Sequence, residues 1–244
     1  MERAIVAPVS ADGAVALTTT AHASANVSPQ LTKSLTDRAY GDLEELIVTL
    51  QLAPGSAVSE AELSQRLGIG RTPIREALQR LAREHMVTIL PRRGIIVAEI
   101  NVKSQLRLLE VRREVERLVA RSAARRATVA ERARFNEIAF AFEESARSND
   151  EVTFIRIDRE YNELSVAAAH NEFAAGAMGL MHSLSRRFWY LHYKQTADMP
   201  LTAKLHADVA RAIAAGDVAG AAAASDALLD SIEAFTRATV STDF

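Results

Sequence analysis

Aliphatic residues recur at helical spacing near the start of the chain, at Leu35, Ala39, Leu43, Leu46, Ile47 and Leu50, positions that share one face of a 3.6-residue turn. Leu52-Ala-Pro-Gly55 stops that helix, and Ser59-x-x-Glu62 reads as a capping box opening the next, which carries Leu63 and Leu67. Gly68 breaks it. A further helix then places Ile74, Ala77, Leu78 and Leu81 on one side, while Arg71, Arg75, Gln79 and Arg83 recur on the other, with Arg80 farther round. Thr72 is expected as its N-cap and Pro73 as its first helical residue. Val87-Thr-Ile-Leu and Ile95-Ile-Val-Ala98 are short apolar runs around Pro91-Arg-Arg-Gly94, the pattern of a hairpin.

Beyond Asn101 no alternating pattern remains. Leu106, Leu109, Val111, Val115, Leu118 and Val119 mark one helix reaching residue 126. Others fit 129–147, 151–169, 171–194, 199–215 and 217–239, with breaks such as Ser148-Asn-Asp and Gly216-Asp between them. The fold is therefore expected to be mainly α. It comprises a winged helix-turn-helix with a small β-hairpin over 31–100, a linker at 101–104, and an all-α bundle of about six helices over 105–240. The first 30 residues are rich in Ala, Ser, Thr and Val, but Asp12 and Gly13 interrupt any signal-like apolar run. A disordered arm is expected there.

Two helices joined by a short glycine turn are the helix-turn-helix arrangement, whose second helix enters the DNA major groove. Arginine suits the start of such a helix, because its fork matches O6 and N7 of guanine. Arg92 and Arg93 at a glycine-ended hairpin tip suit phosphate or minor-groove contact, as a wing requires. Residues 66–93 hold seven arginines against two glutamates, although the whole chain has a net charge of −2. DNA affinity must then be local to one face. The 244 residues contain no cysteine, which excludes disulfides, thiol catalysis and zinc fingers and suits a reducing, cytoplasmic setting. No run approaches the length of a membrane span. A metabolite-binding module or metal-dependent enzyme with a vestigial DNA-binding-like domain is the alternative reading, but no nucleophile–base pair or phosphate loop is legible, so no enzymatic activity is expected.

Ala53-Pro-Gly-Ser, Glu62-Leu-Ser-Gln-Arg-Leu-Gly, Arg71-Thr-Pro-Ile-Arg-Glu-Ala-Leu-Gln-Arg-Leu and Pro91-Arg-Arg-Gly-Ile together resemble the winged helix of GntR-family bacterial transcription regulators. The resemblance implies operator contacts by Arg71, Thr72, Arg75 and Gly94. Ala61 stands where some members carry another DNA-contacting arginine. The second half resembles the FCD ligand-binding domain of the FadR branch, through Leu109-Glu-Val-Arg-Arg-Glu-Val-Glu-Arg-Leu, Asp158-Arg-Glu-Tyr-Asn162, Ala168-Ala-His-Asn171 and His206-x6-Ile213-Ala-Ala-Gly-Asp217.

The resemblance implies binding of small organic acids or related metabolites, often over a divalent metal such as Zn, Ni or Mn held by one aspartate and three histidines. Asp158 and His206 match two of those ligands, whereas Asn162 and Leu228 replace the others. Zinc favours three or four N, S or carboxylate donors. At most a weak metal is therefore expected, completed by waters or Asp226. The preferred reading is a polar pocket in which Asp158, Asn162 and His206 hydrogen-bond the effector directly. Arg112 can clamp an effector carboxylate or serve as a surface or dimer-face charge. Phe188-Trp-Tyr190 with His192 and Tyr193 reads as core or subunit interface, with pocket lining as the alternative. His22, His85, His170 and His182 show no ligand-like spacing. The whole describes a homodimeric regulator of a two-fold DNA operator, tuned by a metabolite through the bundle's first helix and the linker.

Overall fold

The computed structural model describes residues 34–91, 94–148, 150–196 and 198–239. The expected 1–30 arm, together with Arg92 and Arg93, lies outside them. Helix α1 (Leu35–Val48) starts at Ser34, whose hydroxyl accepts from the Asp37 amide, and buries Ala39, Leu43, Ile47 and Val48. Leu35, expected on that apolar face, is exposed instead, as the first residue of α1. Leu50 lies past the helix end with a left-handed φ of 60°.

Strand β1 (Ala57–Val58) leads into α2 (Glu60–Leu67). The Ser59–Glu62 capping box forms in both directions, and Gly68 closes α2 at φ 64°, a conformation that costs a side-chain-bearing residue about 1–2 kcal/mol. Helix α3 spans Arg71–Arg83 and its N-cap is Gly70, not Thr72. Thr72 and Pro73 therefore sit inside the first turn. Proline is tolerated there because the first N–H groups of a helix have no carbonyl partner. Strands β2 (Val87–Leu90) and β3 (Gly94–Val97) form the hairpin, and the sheet order is β1-β3-β2, antiparallel throughout. The two-residue β1, paired to Ile95 and Ile96, was not legible from periodicity. One apolar core joins Leu43, Ile47, Leu63, Ile74, Leu78, Leu81, Met86 and Val97.

Residues 102–104, expected in a linker, are the first turn of α4 (Val102–Arg126). The Asn101 side chain accepts from the Ser104 amide and so starts the helix early. Helices α5 (Val129–Ser148), α6 (Glu151–Ala168), α7 (Glu172–Thr196), α8 (Met199–Ala215) and α9 (Val218–Ala238) complete the bundle. Asp150, Asp198 and Asp217 cap α6, α8 and α9 through their side chains. Phe135, Ile138, Phe142, Phe154, Ile157, Val209 and Ile213 form the centre of its core. Helix α7 also packs on α1, with Leu184 against the winged-helix core. This direct contact bypasses the linker.

Candidate DNA-binding surface and effector cavity

Helix α3 buries Ile74, Ala77, Leu78 and Leu81 and exposes Arg71, Thr72, Arg75 and Gln79. The aliphatic seam thus faces α1 and α2, and the four predicted contact residues share the solvent side. Gly94 opens β3 with a left-handed φ of 95°, a conformation that side-chain-bearing residues rarely adopt. Two glutamates interrupt the arginines along α3 and at its end, and each is tied to α1 by a hydroxyl. Glu76 accepts from the Thr36 hydroxyl at 2.6 Å and Glu84 from Tyr40 at 2.7 Å, both on α1. Arg80 lies over the Tyr40 ring, 3.6 Å from its centroid, a cation–π contact.

Arg75 is not free. Its Nε and Nη2 donate to the two oxygens of Glu60 at 2.8 and 2.7 Å. This hydrogen bond holds the Glu60 carboxyl below its ordinary range, with burial opposing. A guanidinium has five N–H donors, so the end-on edge formed by Nη1 and Nη2 remains available. Glu60 was missed in the sequence, because its distance of fifteen residues from Arg75 becomes a contact only once α2 and α3 cross.

In the bundle, Arg112, Asp158, Asn162 and His206 line one cavity. All four predicted residues are brought together. Arg112 is buried, and its Nε donates to Glu116 one turn on at 2.6 Å; the surface-charge reading is overturned. His206 Nδ1 lies 2.8 Å from the Thr202 carbonyl and Nε2 lies 3.2 Å from Asp158 Oδ1. Both ring nitrogens thus face acceptors. The rings of Phe142, Phe154 and Tyr161 surround the imidazole at centroid distances of 5.0, 5.7 and 5.5 Å. Burial alone would raise the Asp158 carboxyl, but the His206 hydrogen bond and the charges of His206 and Arg186 outweigh it and hold it low.

The donor set does not fit a resident divalent metal. Among the described residues no group of three or more His, Cys, Asp or Glu converges on a ligating point, fewer than zinc requires. Leu228 lines the cavity with an apolar side chain. Asp226, considered for completing the set, is instead held by Arg117 Nε at 2.8 Å.

Two further features went unread, and one alternative reading is the one realised. His182, Ser185, Arg186 and Trp189 on α7 all line the cavity, at the i, i+3, i+4, i+7 spacing of one helix face. That polar stripe was visible in the sequence. Phe188, Trp189 and Tyr190 also line it, so pocket lining, not core or interface alone, is their position. Burial depresses His182 below its ordinary value; Arg112 and Arg186 act in the same sense, and Glu116 and Asp158 oppose. Val48 of α1 reaches the same cavity wall.

A helix-turn-helix with arginines at the head of its exposed helix, followed by a hairpin and a helical domain around a polar cavity, defines a ligand-responsive DNA-binding protein. Residues 35–97 match the model of the gntR family of bacterial regulatory proteins, and residues 107–231 match the FCD domain. The chain belongs to the GntR family, as a DNA-binding transcription regulator whose C-terminal half is an FCD domain. It is similar to the HTH-type transcriptional repressor RspR of Escherichia coli strain K12, with 24% identity over 75% of this chain and 80% of that one. An uncharacterized HTH-type regulator from an unstable DNA locus of Streptomyces ambofaciens is 44% identical over 62 residues, but this spans only 25% of this chain and 26% of that protein. Among solved structures, E. coli McbR/YncC has the same fold at a TM-score of 0.69 and 20% identity, over 86% of this chain and 100% of that one. A GntR regulator from Rhodococcus sp. RHA1 superposes at 0.58 with 21% identity, over 84% of this chain and 99% of that one.

Proposed function

We propose that this regulator is a cytoplasmic homodimer that grips a two-fold operator with α3 and the wing, and that a small organic acid in the α4–α9 cavity sets its affinity. The carrying observation is that Arg71, Thr72, Arg75 and Gln79 share the exposed face of a helix whose opposite face is buried. Arg71 and Arg75 read guanine edges, Thr72 and Gln79 flank them, and Arg92, Arg93 and Gly94 bring the wing to the backbone. Arg112, Asp158, Asn162 and His206 hold the effector. It acts by binding, without turnover. No helix of the described residues is long and apolar enough to cross a membrane.

Dimerisation is supported by an apolar stripe shared by α4 and α7. Val111 and Leu118 are 55% and 46% exposed, and Phe173 and Leu180 are 82% and 46% exposed, at spacings of seven residues on each helix. A second copy meeting the same stripe makes a self-complementary, two-fold interface, which matches a palindromic site.

The test is selection of duplexes from a random pool by the full-length protein, followed by anisotropy titrations. Arg71→Ala is expected to lose about 1–3 kcal/mol at particular base positions. Arg92→Ala or Arg93→Ala is expected to weaken all sequences evenly and flatten the salt slope by about one unit. Equal loss on every sequence for Arg71→Ala overturns the assignment. Leu118→Glu is expected to sediment as a monomer; an unchanged dimer refutes the α4–α7 interface.

A further inference from the structure

The charges around the cavity are not equivalent. Arg112 has its counter-ion in the cavity wall, at Glu116, and His206 has Asp158. Arg186 also lines the cavity, but its carboxylates belong to the other domain. Its Nη1 reaches Glu44 at 2.9 Å and its Nη2 reaches Glu45 at 3.6 Å, both on α1. The side chain spans the boundary between effector cavity and winged helix. The next residue, Arg187, fully buried, donates to the Ala98 carbonyl at the end of the hairpin. Helix α7 thus grips the DNA-binding domain at two successive positions while its neighbours His182, Ser185 and Trp189 face the cavity.

We propose that Arg186 is the residue for which effector and DNA-binding domain compete: a compact carboxylate in the cavity takes the guanidinium that Glu44 and Glu45 hold in this structure, and α1 is released from α7. This rests on the effector reading given above and supplies its regulation. Glu44 makes the exchange consequential. It is buried, at 6% exposed, and a buried carboxylate is strongly destabilised when its cation leaves. Glu44 must then move toward water and carry α1 with it. Because α1 packs directly on α3, the groove-facing arginines move too. Arg112 lacks this reach, since its partner is on its own helix.

The cavity also bounds the ligand. With a volume of about 100 Å³, it suits a compact acid rather than a long acyl chain. Aromatic walls from Phe154, Tyr161 and Trp189 suit a flat apolar body.

Benzoate meets these limits, with benzamide as its neutral twin. Benzoate is expected to raise the melting temperature of the wild-type protein and benzamide is not; equal effects, or none from either, overturn the carboxylate requirement. The Glu44→Gln/Glu45→Gln double variant, with Arg186 intact, is expected to bind benzoate about fivefold or more tightly than wild type, since coupling is reciprocal. Its operator affinity without benzoate should equal that of benzoate-saturated wild type and change no further on addition. Glu45→Gln alone, at the exposed partner, should show the same signs more weakly, guarding against misfolding of the double variant. Wild-type benzoate and operator behaviour in both variants overturns the relay while leaving the effector cavity and the DNA reading intact. Failure of the wild-type protein to select any duplex instead removes the regulator reading beneath it.

Discussion

Glu60→Ala is the sharpest test of how α3 is prepared for DNA. The Arg75–Glu60 pair is solvent-exposed, at 59% and 30% of the two side chains, and such pairs contribute only about 0.2–1 kcal/mol to stability. Their value for recognition is different. Fixing a rotamer-rich side chain on binding costs about 0.5–1.5 kcal/mol, and Glu60 fixes Arg75 beforehand while leaving the end-on edge of its fork for guanine. Removing Glu60 should therefore weaken the selected operator by about 0.5–1.5 kcal/mol, or about two- to tenfold in Kd. The same change removes a negative charge near phosphate, so unrelated duplexes should be bound as well or better. The ratio of operator to scrambled-duplex affinity must fall on both counts. Anisotropy titrations at two salt concentrations measure it, with thermal melting to control for losing an acidic first-turn residue of α2, worth about 0.3–1 kcal/mol. In an Arg75→Ala background the substitution should leave the ratio unchanged. A ratio that rises or holds in the single variant refutes the reasoning and makes Glu60 a competitor for Arg75.

Two further outcomes are expected. His182 is held below its ordinary value of 6.5 by burial, so the unfolded chain takes its proton first as pH falls. Stability from this residue is complete above about pH 6.5 and declines below it, by up to about 1.4 kcal/mol per pH unit. Asp158, also depressed, contributes above its ordinary value of 3.8 and is lost only in stronger acid. Urea midpoints for wild type and His182→Gln between pH 7.5 and 4.5 should show a flatter first decline in the variant; parallel curves would contradict the assignment. Leu81→Ala, at a fully buried position of the winged-helix core, should destabilise that module by about 2–5 kcal/mol, and a loss below about 1 kcal/mol would mean that the seam behind the arginines is not its core.

Much of the architecture was legible because its signals are local. The arginine and aliphatic faces of α3 segregate within four turns. The bundle's breaks coincide with Asp150, Asp198 and Asp217, whose side chains reach amides three residues ahead. What escaped lacked a local signature. Two residues of β1 carry no period, and Thr72 was displaced as cap because Gly70 adopts the required conformation two residues earlier. Of the candidate site, Asp158, Asn162, His206 and Arg112 were found by resemblance. The stripe of His182, Ser185, Arg186 and Trp189 was passed over because polar residues on a long helix usually face solvent. The packing of α7 against α4 and α6 turns that face toward the cavity.

The same physics explains how a chain of net charge −2 can present a positive face to DNA and still be switched. Two carboxylates near α3 are paired with its arginines, Glu60 with Arg75 and Glu84 with Arg80, while Glu76 stays exposed and accepts from Thr36. The exposed face still carries more guanidinium than carboxylate, and beyond about 10 Å the other acidic groups are screened at ordinary ionic strength. The aliphatic seams hold the helices in place with terms of several kcal/mol per side chain. The polar contacts of Arg75 and Arg186 are weaker and, in the proposed reading, exchangeable, one for a base edge and the other for a ligand carboxylate. A regulator needs that separation, because a contact as strong as the core could not be traded for a small acid, and a core as weak as an exposed ion pair could not transmit the trade to α3.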